Sequence, residues 1–308
     1  MADTTGPGER GGPAAGGGDG DGATASGSRA LPYRLDARIA SAATVGYWML
    51  VAATLLFLLT PLVIVVVISF QGQAYAGWPP ESFTLEWYRS LPEDLAYLGV
   101  TEALTNSVKL ALATGVVSTT VGGLAAFAVV RHEFRAAATV EALLLSPLIY
   151  PWIVVGLALL LFVGQLNSLF GLGVTLSFWT LLAGHVLFTV PYPTRTIAAS
   201  LQNFPDSVEE AATNLGATEL DTYANVTLPL IRPGIISGFV FTFVLSFNQY
   251  IISLFLSDSG TQTVPLVLFS LFYNTSPAQL SAIASLLMAG ILSLVFLTEY
   301  VAGISEFI

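Results

Sequence analysis

The segment Phe204-Pro205-Asp206-Ser207-Val208-Glu209-Glu210-Ala211-Ala212-Thr213-Asn214-Leu215-Gly216-Ala217-Thr218-Glu219-Leu220-Asp221 is a polar connection between long apolar runs, and it continues to Val226-Thr227-Leu228-Pro229-Leu230-Ile231-Arg232-Pro233. It carries two helix-start signals. Ser207 with Glu210, and Thr218 with Asp221, have the spacing of a capping box, in which each side chain satisfies the other's free backbone N–H. Gly216 lies between them, where a left-handed C-cap favours a residue without Cβ. Val208, Ala211, Ala212 and Leu215 share one apolar face at helical spacing, with Glu209 and Thr213 on the other flank. The alanines keep that face narrow enough to enter a tight groove. Pro229 and Pro233 are expected to end the unit before the next apolar run.

Outward from this segment the chain reads as membrane spans. A helix needs about 20 residues to cross the hydrocarbon layer, and a charge at its centre costs about 2.5–3.5 kcal/mol. Charge-free windows place spans at Val45 to Phe70, Leu110 to Val130, Pro233 to Ser257 and Gln279 to Thr298. Ala142 to Thr194 is uncharged over 53 residues, too long for one helix, and the polar stretch Gln165 to Gly171 is expected to divide it. That gives six transmembrane helices in an all-α membrane protein. The first run exceeds the roughly 7–15 apolar residues of a signal peptide, so it reads as an uncleaved anchor despite the cleavage-like Ala74-Tyr75-Ala76. Residues 1–28 hold ten glycines and no large apolar residue after Met1, a composition expected to stay disordered. The organisation is therefore a Gly-rich acidic tail (1–38), a first helix with an outer segment (39–105), and a five-helix core (106–308) containing the loop 197–232.

Composition agrees. Of 308 residues, 54% are hydrophobic and 10% charged, and the mean hydropathy is +0.75. A net charge of −10 argues against nucleic acid, whose phosphates need a basic footprint. There is no cysteine, and the two histidines, His132 and His185, are far apart, which excludes thiolate metal sites and an HExxH site. An acidic chain with one lysine suits a very salty cytoplasm; drift in base composition is the alternative. With the N-terminus inside, Arg10, Arg29, Arg34, Arg38, Arg131, Arg135, Arg195 and Arg232 are cytoplasmic, against Arg89 and Lys109 outside. The positive-inside rule thus puts both termini in the cytoplasm of a multi-pass cell-membrane protein. Trp78, Trp87 and Tyr88 in the outer segment suit the interface, and Thr261 to Ala278 is an outer loop or a partly re-entrant segment.

Nothing in the chain supplies energy. The lone lysine sits in Ser107-Val108-Lys109-Leu110, so there is no P-loop. The spans hold no central Asp or Glu of the kind that proton-coupled carriers use. Glu210-Ala211-Ala212, Gly216, Val226 and Leu228-Pro229 keep every spacing of the EAA motif, and on them the chain resembles the permease subunits of binding-protein-dependent ABC importers. The resemblance runs over about 200 residues, from Asn106 to Ala302, taking in Arg131 and the stretch from Gly184-His185 to Pro191. It is most similar to the spermidine/putrescine-type subgroup. It implies a type I importer permease (MetI-like) fold and a half-pore coupled to a separate ATPase. Glu210, Ala211, Ala212, Leu215, Gly216, Ala217 and Pro229 would then form the coupling element. The implied partners are a cytosolic ABC ATPase dimer that binds the ATP, a second permease subunit, an external substrate-binding protein and membrane lipid. No cofactor is expected in this chain, and it is not expected to be an enzyme.

Asn248 and Gln249 in span five need polar partners, which a substrate path or interhelical hydrogen bonds would supply. His185 in span four has the same two readings. The subgroup tends to carry acidic residues near 248–249; amides there bring the substrate down to a polyamine or another small solute. Tyr150 and Trp152 suit packing or interfacial anchoring, and Pro191 and Pro193 are expected to kink span four. A stand-alone secondary transporter or channel would show inverted repeats and mid-span ionisable groups; neither is present.

Overall fold

The computed structural model describes residues 33–302 apart from 74, 76, 133 and 134. Residues 1–32 of the Gly-rich tail (1–38), the residues Ala74 and Ala76 of the cleavage-like triplet, and the last residues of the chain lie outside the described residues, while residues 33–38 of the tail begin α1. The chain divides into two compact units at Leu59–Thr60. α1 (Tyr33–Ile68) supplies the described part of the first unit and enters the second.

Among the described residues, five helices are long and apolar enough to cross a membrane: Ser41–Ile68, Val100–Arg131, Trp152–Phe170, Glu219–Phe247 and Pro277–Leu297. The remaining expected span is built from two pieces, α6 (Phe178–Thr189) and α7 (Pro191–Asn203). They meet at Val190, whose φ of −49° and ψ of −38° keep the path helical. Pro191 lacks the N–H that would continue the α6 ladder, so the interruption falls where the prolines are.

The second unit is organised on α3 (Val100–Arg131), with α2 (Glu86–Tyr97) before it. The outer segment is a folded cap. Gln71 and Phe83 form an antiparallel bridge, Trp87 Nε1 donates to the Gln71 carbonyl at 2.7 Å, and Ser69 and Tyr88 share a hydroxyl hydrogen bond of 2.7 Å. Trp87 and Tyr88 therefore use their polar atoms inside the cap, while Trp78 is exposed. Leu91 of α2 joins Val100, Ala103, Phe247, Val264 and Ile283 in one apolar cluster.

After α4 (Ala137–Leu145), α5 (Trp152–Phe170) runs through the polar stretch expected to be the turn. The turn opens at Gly171, the last residue of that stretch, and continues to Gly173, both with positive φ. The polar residues brace the loop from the helix end: the Asn167 amide donates to the Val174 carbonyl and accepts from the Val174 N–H, both at 2.6 Å. Trp152 packs edge-on against Phe188, and Tyr150 is exposed.

α3, α7 and α10 (Leu228–Phe247) pack closely toward the Arg131 end of α3, with Ala126, Ile197, Leu201 and Ile231 buried between them. Close approach depends on missing side chains, as expected where helices lack a hydrophobic driving force to associate. A Cβ on Gly238 would lie 2.9 Å from Pro193 Cα. α11 (Ile251–Leu256), α12 (Val264–Asn274) and α13 (Pro277–Ala302) complete the order.

Gly238→Val should force α10 and α7 apart and destabilise the protein by about 1–3 kcal/mol. Thermal melting in detergent checks this: Gly238→Val lowers Tm, and Gly164→Ala, where an added Cβ meets nothing within 4 Å, does not. Equal melting of the two variants would contradict the close-packing account.

Candidate functional site

The loop at 204–232 folds as two short helices on a continuous lead into α10. α8 (Ser207–Asn214) begins after Asp206, and no side chain caps it. The Ser207–Glu210 capping box is therefore not formed. Ser207 is already inside the first turn, because the Asp206 carboxylate is drawn away to Arg131. The C-terminus ends as the sequence indicates. Gly216 has φ +94°, the Ala217 N–H donates to the Ala212 carbonyl and the Gly216 N–H to that of Thr213. These two bonds are the Schellman pair that closes a helix on a left-handed residue. Thr218 then opens α9 (Glu219–Thr222), with both halves of the second capping box present.

Pro229 and Pro233 do not end the unit. A π-turn over Tyr223–Thr227 joins α9 to α10, with the Leu228 N–H donating to the Tyr223 carbonyl five residues back. The wide turn absorbs the missing N–H of Pro229 at the first turn of α10, a position where proline is tolerated. Glu219–Phe247 is consequently one apolar helical path.

The loop is held to the transmembrane core through Arg131, the last residue of α3. Its guanidinium pairs with the Asp206 carboxylate, reaches Glu209 Oε1 at 3.5 Å, and lies 4.8 Å from the centre of the Phe204 ring. Glu209 also accepts from the Thr227 hydroxyl at 2.6 Å, and Tyr223 rests edge-on against Phe127 of α3. One cation thus gathers the start of α8 and, through Glu209, the π-turn. Arg131 and Glu209 side chains are 12% and 18% exposed, Asp206 73%. The inner pair therefore holds most strongly, since exposed ion pairs contribute little.

With Glu209 turned inward, the opposite face is open. Leu215 is 90% and Leu220 80% exposed, Val208, Glu210 and Ala211 are exposed, and Ala212 and Ala217 are half-buried. The coupling residues named from the sequence are thus brought together, with Pro229 exposed at the head of α10. Sequence reading missed Glu209, Asp206 and Thr227 as a set. The available signal was the Asp206/Glu209 spacing of three, which puts two carboxylates on one helix face, opposite an arginine that closes a charge-free span.

The three path candidates separate. His185 is fully buried: Nδ1 lies 2.8 Å from Ser246 Oγ and Nε2 3.1 Å from Ser253 Oγ. Of its two readings, the interhelical hydrogen bond is the one observed. It bridges the break between α10 and α11, where Gln249 is also buried and its side-chain oxygen accepts the Ile251 N–H at 2.9 Å. Asn248 is exposed, its Nδ2 donating to the Val244 carbonyl and its carboxamide oxygen without a protein donor among the described contacts. Asn248 stands 16 residues beyond Arg232, about 24 Å along a helix, immediately after the last residue of α10.

Five helices long and apolar enough to cross a membrane, with a two-helix loop anchored to one of them, fit a membrane permease. Residues 118–303 match the family of binding-protein-dependent transport system inner membrane components, and the chain belongs to that family: it is the transmembrane permease subunit of an ABC solute importer. It is 32% identical over 246 residues to the spermidine/putrescine transport system permease protein PotC of Haemophilus influenzae, covering 80% of this chain and 91% of that protein. It is 30% identical over 255 residues to the putrescine transport system permease protein PotI of Escherichia coli, covering 81% and 88%. In fold it is similar to a bacterial ABC transporter involved in the import of the acidic polysaccharide alginate, with a TM-score of 0.67 at 13% identity, covering 87% of this chain and 98% of that one.

Removing the cation leaves Glu209 half-buried without its counter-charge, at about 1–3 kcal/mol. Arg131→Ala should therefore accelerate hydrogen–deuterium exchange across 207–222 by about tenfold or more. Arg131→Lys should be intermediate, because it keeps the charge and loses the planar fork. Unchanged exchange in Arg131→Ala would contradict the anchoring role.

Proposed function

We propose that this chain forms half of a translocation pore, paired with a second, similar permease subunit, and that the loop at 197–232 docks on a cytosolic ABC ATPase dimer. The nucleotide is bound by that ATPase, and an external binding protein delivers the substrate. The observation that carries this reading is the open apolar face of Val208, Ala211, Leu215 and Leu220 on a loop otherwise tied to the core. A firmly held base with an exposed apolar edge suits force transfer to a groove in another protein. Both termini lie in the cytoplasm, on the strength of the eight-to-two distribution of basic residues.

The substrate is a polyamine or a similar small cationic solute. The names of the PotC and PotI relatives support this class. The amides at 248 and 249, in place of carboxylates, separate this chain from a simple charge-matched site. Asn248 faces the path, and His185 and Gln249 hold the helix break that presents it.

Gly216→Trp tests the coupling role. A side chain at φ +94° is strained by about 1–2 kcal/mol, and nothing within 4 Å of its Cβ position obstructs it inside the chain. The variant should insert in the membrane normally yet lose substrate-stimulated ATP hydrolysis in nanodisc-reconstituted importer with its binding protein. Glu210→Ala should show a milder defect. Full stimulated hydrolysis and uptake in Gly216→Trp would overturn the coupling assignment.

A further inference from the structure

The cap that joins α1 to α2 contains a recess that the transport reading leaves unused. Phe70, Phe83, Thr84, Leu85 and Arg89 line an open cavity of about 480 Å³. Its walls are fixed by backbone and ring contacts. The Thr84 N–H donates to the Phe70 carbonyl at 2.7 Å, and the Gly72 N–H to that of Ser82 at 2.9 Å. The Phe70 ring lies 5.1 Å from the ring of Tyr88, centre to centre. α2 buries Leu91 in the core and carries Arg89 on an exposed side.

The recess lies where hydrocarbon gives way to headgroups. The uncharged run that begins at Val45 ends at Phe70, α1 stops at Ile68, and the polar side chains on either side of Phe70, Ser69 and Gln71, are buried in the cap. A chain leaving the bilayer in this way sets Phe70, and the cavity it lines, at the membrane boundary. Phe83 is 71% and Leu85 53% exposed, and apolar side chains left open at that level face lipid at little cost.

The charges of α2 say what the recess takes. Arg89 is the only basic residue between Arg38 and Lys109, and among the described residues it forms no ion pair. Glu86 stands three residues before it and Glu93 four after, on the same face of α2. Both are exposed, and neither pairs with it. The guanidinium fork fits a phosphate. Phosphate alone would be repelled by the two carboxylates. A stripe of negative, positive and negative charge, with about 5–6 Å between Cβ atoms, instead matches a headgroup that carries phosphate and ammonium a few bonds apart.

We propose that this recess is a lipid site: Arg89 holds the phosphodiester of a zwitterionic, amine-bearing phospholipid, Glu86 or Glu93 takes its ammonium, and the start of its chains covers Phe70, Phe83 and Leu85. The lipid ties the cap to the bilayer. The cap is in turn joined to α13, through Leu91 in the cluster that holds Ile283 and through Gln279 Nε2, which donates to the Asp94 carboxylate at 2.7 Å. The site is independent of what the importer carries.

The test uses the complete importer in nanodiscs of phosphatidylethanolamine and phosphatidylglycerol in equal parts. The photoreactive residue p-benzoylphenylalanine stands in place of Leu85, and lipid adducts are counted by mass spectrometry. Phosphatidylethanolamine adducts should exceed phosphatidylglycerol adducts by about fivefold. Arg89→Gln should lower total lipid adducts by about tenfold, and Arg89→Lys, which keeps the charge, by about threefold at most. Glu86→Gln with Glu93→Gln should keep the adducts and abolish the preference between the two lipids. Unchanged adducts in Arg89→Gln overturn the proposal, and equal labelling of the two lipids before any substitution overturns the amine-bearing class. Adducts that pass from lipid to the external binding protein when it is added also overturn it, by assigning the recess to a protein. So does loss of the second permease subunit from Arg89→Gln, which assigns Arg89 to a subunit interface.

Discussion

The contact on which the loop of α8 and α9 depends is the one between Arg131 and the carboxylates of Asp206 and Glu209. Without it the loop of α8 and α9 would be joined to the bundle only through its ends. With it, the loop is fixed to the last residue of α3, the helix that also touches α7 and α10 along the close-packed part of the core. The partial burial of Arg131 and Glu209 makes the pair count, since a surface pair would be screened by salt. The ring of Phe204 lies against the guanidinium and the Thr227 hydroxyl donates to Glu209, which offsets part of their desolvation, while the buried Arg131 Nε has no hydrogen-bond partner.

The fixed loop continues into the membrane without a joint. Glu219 to Phe247 is a single helical path whose π-turn carries Pro229, and it ends at the break around Asn248. There His185 grips Ser246 on one side and Ser253 on the other, and Gln249 takes up a backbone N–H freed by the break. From Glu219 to the break, one helical path thus links the loop to the polar residues around Asn248. The same histidine that keeps the break closed on both sides leaves Asn248 as the exposed amide.

Much of this was legible in the sequence, and the parts that were not share a cause. The uncharged windows marked the spans, since charges are excluded from hydrocarbon whatever the packing. Gly216 and the Thr218–Asp221 box were readable because each acts within one turn of chain. The failures lie where a local signal met a distant partner. Ser207 has the spacing of a cap, but Asp206 answers Arg131, 75 residues away. Gln165 to Phe170 has the polarity of a turn, but Asn167 uses that polarity to brace the turn from inside the helix. Pro229 reads as a stop, yet a change of helical register carries the chain past it. The outer cap is the extreme case: its order comes from Gln71, Trp87 and Tyr88 bonding to one another and from Leu91 entering a cluster with Phe247 and Ile283, none of which a local pattern records.

The central claim is that α8 and the Arg131 end of α3 move as one body. The chain contains no cysteine, so a spin-label pair at Ala128 and Asn214 can be introduced alone, and its distance distribution measured by pulsed electron paramagnetic resonance in the assembled importer. The account predicts one narrow distribution, the same in the nucleotide-free and ATP-bound states, that broadens only when Arg131 is replaced by alanine. A shift of the wild-type distance between those two states would contradict it.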